Sequence, residues 1–271
     1  MNTLRQIFYS AAKQLRQRKW ALISYSAISV GFVWLYVAIF PSFAKESEKF
    51  NELLKAYPKA LLEAFNINQL QLSNIEGYIS AEHFSFIWPL MAILLGLSTA
   101  GIMLAGEIER GTGNLLLSLP VSRTKQYIGK YFAGSVLMLI FVVLSTVSII
   151  PFARIYDISI SQSHIATTTI LCWAFAQCIF SIGYMFSAMF KERSHVYFVS
   201  AGILMMMYVA NIVSGLVDSL EKVKYISLFH YFSPDKALVN GEISGRSLLV
   251  FFGLSIIATA IGFIVFRSRD I

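Results

Sequence analysis

Nucleotide chemistry would depend on the single Gly-Lys pair of the chain, Gly129-Lys130. A phosphate-binding loop needs the pattern Gly-x-x-x-x-Gly-Lys-Ser/Thr, in which backbone amides and the lysine bind the phosphates. In this chain Tyr131 follows the lysine, and Thr124 stands where the first glycine belongs. We therefore expect that the chain does not bind ATP by this route, and that an ATP-driven motor would be another chain.

The residues that could support catalysis are scattered. The serine-containing stretch 96–101, Gly-Leu-Ser-Thr-Ala-Gly, has no histidine at a matching depth in a second apolar run, and its small residues favour close helix packing. The four histidines form no His-Glu-x-x-His motif, which is the pattern by which a helix binds zinc. They are His83, His164, His195 and His230. An intramembrane enzyme is therefore an alternative without a candidate catalytic residue, and we expect no metal site.

Most of the chain consists of long apolar runs, and the polar residues lie mainly between them. Hydrophobic residues make up 56% of the 271 residues and charged residues only 14%, whereas a soluble domain carries roughly a quarter charged residues. A membrane helix needs about 20 apolar residues, and lipid requires that the backbone satisfy its own hydrogen bonds. We predict an all-α integral membrane protein, a single transmembrane domain 1–271, whose six spans are 20–40, 84–106, 131–153, 165–190, 195–217 and 247–266.

These predicted spans contain no Lys, Arg, Asp or Glu. Ion-coupled transporters usually need an ionisable group inside the membrane, so this class is disfavoured. Asn211 and Gln177 are the only Asn and Gln in the spans, and we favour an interhelical hydrogen bond over a substrate contact for both. Cys172 and Cys178 are expected to be unpaired packing residues.

Charge predicts the orientation of the chain. With both termini in the cytoplasm, 13 of the 22 Lys and Arg residues lie inside, whereas 11 of the 15 Asp and Glu residues lie outside. Cytoplasmic loops carry an excess of Lys and Arg. We therefore expect a multi-pass protein of the cell membrane with cytoplasmic termini, and the basic net charge of +7 indicates topology and not nucleic-acid binding.

The inner loop 107–130 is the most distinctive segment of the chain. Its leucine-rich centre, residues 114–119, follows two glycines and ends at a proline, which cannot continue a helix. A loop this short and apolar suits a protein partner. The patterns Glu-x-Glu-Arg-Gly-Thr and Leu-Leu-Leu-Ser-Leu-Pro-Val-Ser-Arg, followed by Gly-Lys, resemble the cytoplasmic loop of ABC-2 type transporter permeases, the transmembrane subunits of bacterial ABC exporters.

The resemblance implies that this loop is a coupling helix that docks into a separate ATPase subunit, which would bind ATP and Mg. The chain departs from the common family pattern at Gly113-Asn114, where Leu-Glu is frequent. The implied ATPase-coupling residues are Glu107, Glu109, Arg110, Gly111, Thr112, Leu115, Leu116, Leu117, Leu119, Pro120, Ser122 and Arg123. In the family a short inner segment can make a second ATPase contact, here Lys191, Glu192 and Arg193, and a charged hairpin turn explains these residues equally well.

Residues 1–19 are predicted to form an amphipathic helix, similar to the N-terminal elbow helix of the family. The family forms its translocation path from two permease subunits, which implies a second copy of this chain or a paralogue. Candidate residues for the path lining or the dimer contact are Gly96, Ala100, Gly101, Asn211, Ser214 and Gly215. An apolar lining would suit a peptide, a drug or a lipid-like cargo. A membrane anchor that transports nothing is the remaining alternative.

Overall fold

The computed structural model of the protein describes residues 3–44, 74–111 and 122–268, apart from the side chains of residues 3–11, 13 and 218. The regular secondary structure of these residues is entirely helical, as predicted. Six helical segments among them are long and apolar enough to cross a membrane. We number these spans in chain order: Gln14–Ala44, Ile75–Met103, Arg123–Ile155, Gln162–Met189, Arg193–Leu216 and Gly245–Ser268.

The α-helices within and between the spans are, in chain order, α1 Thr3–Ala44, α2 Ile75–Ile79, α3 Trp88–Met103, α4 Ala105–Glu109, α5 Arg123–Val147, α6 Ile149–Ile155, α7 Gln162–Met189, α8 Arg193–Leu216, α9 Leu228–Tyr231 and α10 Gly245–Ser268. Two π-helical segments, Ser80–Ile87 and Lys236–Asn240, and one 3₁₀ helix, Asp218–Ile226, complete the described secondary structure. The spans are longer than predicted because each apolar run continues as a helix into polar residues at one or both of its ends.

Helix α1 contains the segment that was predicted as an N-terminal amphipathic helix, residues 1–19, from Thr3 onwards. The helix runs without a break from Thr3 into span one. The sequence has no glycine or proline between residue 3 and Gly31 that would end a helix. Most side chains on the apolar face of this predicted amphipathic helix are among those that the structure does not describe.

Span two begins earlier than predicted, because residues 75–83 are already helical. Asn74 caps its start by accepting a hydrogen bond from the backbone N–H of Gly77 at 2.7 Å. The segment Ser80–Ile87 is π-helical and ends two residues before Pro89, which has no N–H to donate. His83, predicted outside the membrane, is instead fully buried inside span two.

Span four is the centre of the bundle and packs on spans two, three and six. Its fully buried side chains include Phe175, Phe180 and Tyr184, and both cysteines are free and buried as predicted. Phe180 lies against Gly134 of span three, where an added Cβ atom would stand 2.0 Å from its ring. Close approach at small residues thus brings the spans together.

The bundle has two ends, which we name by their loops. The loop end carries Glu107, Ser122, the turn 190–192 and Arg267. Spans four and five form the predicted hairpin there, since one ends at Met189 and the next begins at Arg193. The far end carries the short helices of residues 218–240, where Gly241 adopts a left-handed conformation with φ of 71° directly against the ring of His164.

Candidate functional site

The predicted coupling loop is described at its two ends only. Thr112, Leu115, Leu116, Leu117, Leu119 and Pro120 lie outside the described residues. On the near side, α4 ends at Glu109, and Gly111 turns the chain with a φ of 69°, a conformation that favours glycine. On the other side, Ser122 begins α5 as its N-cap by accepting a hydrogen bond from the backbone N–H of Lys125.

Glu107 joins three spans at the base of this loop. It accepts a 3.0 Å hydrogen bond from the side-chain amide of Gln14 in span one. It also forms an ion pair with Lys130 of span three, whose side chain is only 4% exposed. Removing one partner of a buried ion pair leaves an uncompensated charge, which costs roughly 3–5 kcal/mol. The Glu107–Lys130 pair therefore fixes the root of the loop.

Glu109, two residues further on, points to a different neighbour. Its carboxylate accepts hydrogen bonds from Arg193 Nε at 2.8 Å, from Arg193 Nη2 at 3.2 Å and from the Arg193 backbone N–H at 3.1 Å. These hydrogen bonds lower the pKa of Glu109 to about 2. The structure thus brings together two groups that the sequence analysis treated separately, the acidic start of the loop and the turn that contains Lys191, Glu192 and Arg193.

Other predicted residues complete the loop end. Arg110 donates a 2.8 Å hydrogen bond to the carbonyl of Gly106, and the stem of Arg193 lies so close to Gly106 that an added Cβ atom would stand 2.9 Å from it. Arg123 donates to the carbonyl of Arg267 at 3.3 Å, which joins spans three and six. Direct contacts at this end therefore connect spans one, two, three, five and six.

Arg18 is the residue that the sequence analysis missed. It belongs to span one, and its guanidinium donates to the hydroxyls of Ser98 at 2.6 Å and Thr99 at 3.3 Å, inside span two. Tyr197 of span five approaches the same turn, with its Oη atom 3.5 Å from the Ser98 carbonyl oxygen. In the sequence, the only signal was that Arg18 lies close to the first apolar run. Because α1 is continuous, Arg18 belongs to span one and contacts span two inside the bundle.

The small residues of span two have a role within the chain. Gly96 packs on Ile179 of span four, Ala100 is fully buried, and Gly101 lies against the ring of Tyr197. Helix packing is therefore confirmed for this stretch. That Gly96, Ala100 and Gly101 line a path or contact a second copy stays a prediction, and in this conformation side chains of their own chain cover them.

The remaining predicted residues of spans four and five differ in their hydrogen bonds and in their burial. Gln177 donates to the hydroxyls of Tyr131 at 2.8 Å and Ser135 at 2.9 Å, which is the predicted interhelical hydrogen bond. Asn211 is half-buried, and among the described residues its side chain makes no such bond. Ser214 is buried and donates to the Asn211 carbonyl at 2.8 Å, whereas Gly215 is exposed.

An apolar cleft of about 450 Å³ lies between spans two and five. We call it the two–five cleft, and its walls include Phe86, Leu90, Leu94, Leu204, Met205 and Tyr208. Several of these side chains are exposed in the single chain, for example Met205 at 62%. Pockets of roughly 300–1,000 Å³ with apolar walls are typical of small-molecule sites.

The four histidines lie in separate places, as predicted. His83 is 3.3 Å from the Ser29 hydroxyl inside the bundle, His164 contacts the carbonyl of Leu238 at the far end, and His195 lies beside Glu192. Across residues 3–44, 74–111 and 122–268, no three His, Cys, Asp or Glu side chains are grouped so that they could hold a metal ion.

The fold and the loop end define the class of the protein as a multi-pass helical membrane protein whose spans are tied together beside one polar loop. The sequence model of the ABC-2 family transporter proteins matches residues 9–271. The chain therefore belongs to the ABC-2 transporter family, and it is a transmembrane component of a transporter. No curated protein matches the chain significantly.

Proposed function

We propose that this chain is the permease subunit of an ATP-driven exporter, which moves hydrophobic or amphipathic cargo outward with a separate ATPase subunit. The observation that supports it best is the pair of contacts at the root of the loop. Glu107 is bound to spans one and three, and Glu109 is bound to span five. A force applied to the loop would therefore reach several spans at once.

The leucines of the loop would be the docking element. Leu115, Leu116, Leu117 and Leu119 would enter an apolar groove of the ATPase, with Ser122 and Arg123 at the far side of the contact. ATP and Mg would be bound by that partner, since this sequence has no Gly-x-x-x-x-Gly-Lys-Ser/Thr pattern. The turn that contains Lys191, Glu192 and Arg193 would form a second, smaller contact or transmit motion through Glu109.

The two–five cleft would form the cargo path together with a second copy of the chain or a paralogue. Its walls are apolar, and exposed side chains of span five, such as Phe198 and Met205, continue the same surface. Rocking of the spans, driven by closure of the ATPases, would expose this surface to one side of the membrane and then to the other. Apolar walls favour a peptide, a drug or a lipid-like molecule.

The loop end would face the cytoplasm. Single cysteines test this orientation, because the native Cys172 and Cys178 are buried. Ser219→Cys at the far end should react with an impermeant thiol reagent added to intact cells, and Ser194→Cys at the loop end should not. Both serines are exposed, so they form a matched pair. Labelling of Ser194→Cys alone would reverse the orientation.

Reconstitution with the candidate ATPase tests the function itself. The complex should co-purify, and its ATP hydrolysis should rise with a transported substrate. Leu116→Ala should weaken ATPase binding roughly thirty-fold, because a buried leucine at an interface centre contributes about 2 kcal/mol, and the combination with Leu117→Ala should weaken binding further. Arg123→Ala is the milder control, since an exposed charge contributes little. Failure of every ATPase to bind the wild-type chain would reject the proposal.

A further inference from the structure

Arg18 is a cation without a carboxylate partner in the part of the chain that the structure describes. The ion pairs there join Lys130 to Glu107, Arg193 to Glu109, His195 to Glu192 and Lys224 to Glu221. Arg18 instead donates to two neutral hydroxyls, and its Nε atom is buried without a hydrogen-bond partner. A charged group in a membrane helix is costly and usually pairs with another group.

Arg18 is half-buried, and its contacts lie inward from the loop end of the bundle. Its partners Ser98 and Thr99 precede Glu107 by eight or nine residues of span two, which is about 13 Å along a helix. Span two ends at Met103, and Glu107 follows in α4, where polar groups begin. The free donor of Arg18 therefore lies deeper than the ends of the helices.

The two–five cleft ends about one helical turn from the residues that Arg18 contacts. Leu94 in its wall and Ser98 are one helical turn apart on the same face of span two, about 6 Å along the axis. Ala201 in the opposite wall and Tyr197 have the same relation on span five. Tyr197 approaches the Ser98 carbonyl and lies against Gly101, so the two walls meet at the turn that Arg18 contacts, and Arg18 lies at this end of the cleft.

We propose that the two–five cleft, together with Arg18, binds an anionic amphiphile, with its single carboxylate or phosphate at Arg18 and its apolar chain between spans two and five. This inference rests on the proposed transport function, because it names the class of the cargo. Hydrogen bonds from the guanidinium to an anionic oxygen are charge-assisted. The hydroxyl of Thr99 could donate to the same head group, whereas that of Ser98 already donates to the Leu95 carbonyl, and the apolar walls match an alkyl chain.

Binding to the purified full chain in phosphatidylcholine nanodiscs tests this site without the ATPase. The probes are two fluorescent alkyl chains of equal length, one ending in a carboxylate and the other in trimethylammonium. Wild type should bind the carboxylate probe at least about tenfold more tightly, as expected from one charge-assisted hydrogen bond. Arg18→Gln should lose this preference and Arg18→Lys should keep most of it. Leu94→Trp should weaken binding of both probes by filling the cleft.

Lys19→Gln is the matched control, because it removes the same charge one residue away. Lys19 lies on the exposed side of the helix, 5.4 Å from the ring centre of Trp20. This variant should keep the preference for the carboxylate. An unchanged preference in Arg18→Gln, or an equal loss in Lys19→Gln, overturns the site.

Three further outcomes separate the source of the ligand from the transport function. If nanodiscs of phosphatidylglycerol abolish binding of the carboxylate probe, the occupant is a membrane lipid and the assignment to cargo is overturned. If the probe binds as expected but no ATPase binds the chain, the transport function fails while the anion site stands. If ATP-driven transport is found without any preference for an anion, this inference alone fails.

Discussion

Arg193 donates three hydrogen bonds to the carboxylate of Glu109, and this contact ties the start of span five to the end of span two. Both side chains are about one-third exposed. An exposed ion pair contributes little to folding. The role of this ion pair would be to transmit motion, because it joins the base of the predicted coupling loop to one wall of the two–five cleft.

We predict that Glu109→Gln and Arg193→Gln leave the chain folded but uncouple it from the ATPase. Thermal unfolding in detergent should change little, whereas substrate-stimulated ATP hydrolysis in reconstituted membranes should fall several-fold. The exchanged pair, Glu109→Arg with Arg193→Glu, should recover part of the stimulation, because it restores opposite charges at the same place. Full stimulation in both single variants would show that the contact carries no coupling.

The Glu109–Arg193 pair should persist across the physiological pH range. The pKa of Glu109 lies at about 2, below the ordinary value of 4.5, because Arg193 stabilises the ionised form. A lowered pKa contributes stability that is present above the ordinary value and is lost as the pH falls towards 2. Carbon-13 NMR of labelled glutamate carboxyls should show this titration, and in Arg193→Gln it should return towards the ordinary value.

Breaking the pair of Glu107 and Lys130 should lower the stability of the fold, whereas breaking the pair of Glu109 and Arg193 should change it little. Lys130→Met leaves Glu107 without its cation in a site where its side chain is only 13% exposed. We expect a loss of stability of about 3 kcal/mol. The double variant Glu107→Gln with Lys130→Met should be more stable than Lys130→Met alone, because no buried charge remains. Chemical or thermal unfolding of all three variants measures the coupling energy, and strictly additive effects would contradict it.

The contact between Gly134 and Phe180 gives a test of the packing. In Gly134→Ala the new methyl group would stand 2.0 Å from the Phe180 ring, so either this buried ring or the two spans must shift. Overpacking of this kind costs roughly 1–3 kcal/mol. Gly253→Ala in span six is the control, since no atom lies within 4 Å of its added Cβ. Equal thermal stability of the two variants would contradict this arrangement of spans three and four.

The sequence by itself determined the helical class, the number of spans and the position of the polar loop. These properties depend on the transfer of each residue into lipid and on the length of each apolar run, which are local quantities. The turn between spans four and five was predictable for the same reason. The boundaries were less accurate, since α1 continues from Thr3 and span two starts at Ile75.

Only the tertiary structure decided which side chains meet. Arg18 contacts Ser98, Glu107 contacts Gln14 and Lys130, and Glu109 contacts Arg193, across separations that no periodic pattern encodes. Such partners depend on which faces of distant helices pack together. Gly96 shows the same limit, because small residues predict a close approach without naming the neighbour. The structure gives that neighbour as span four of the same chain, and it leaves the exposed face of span five beside the two–five cleft.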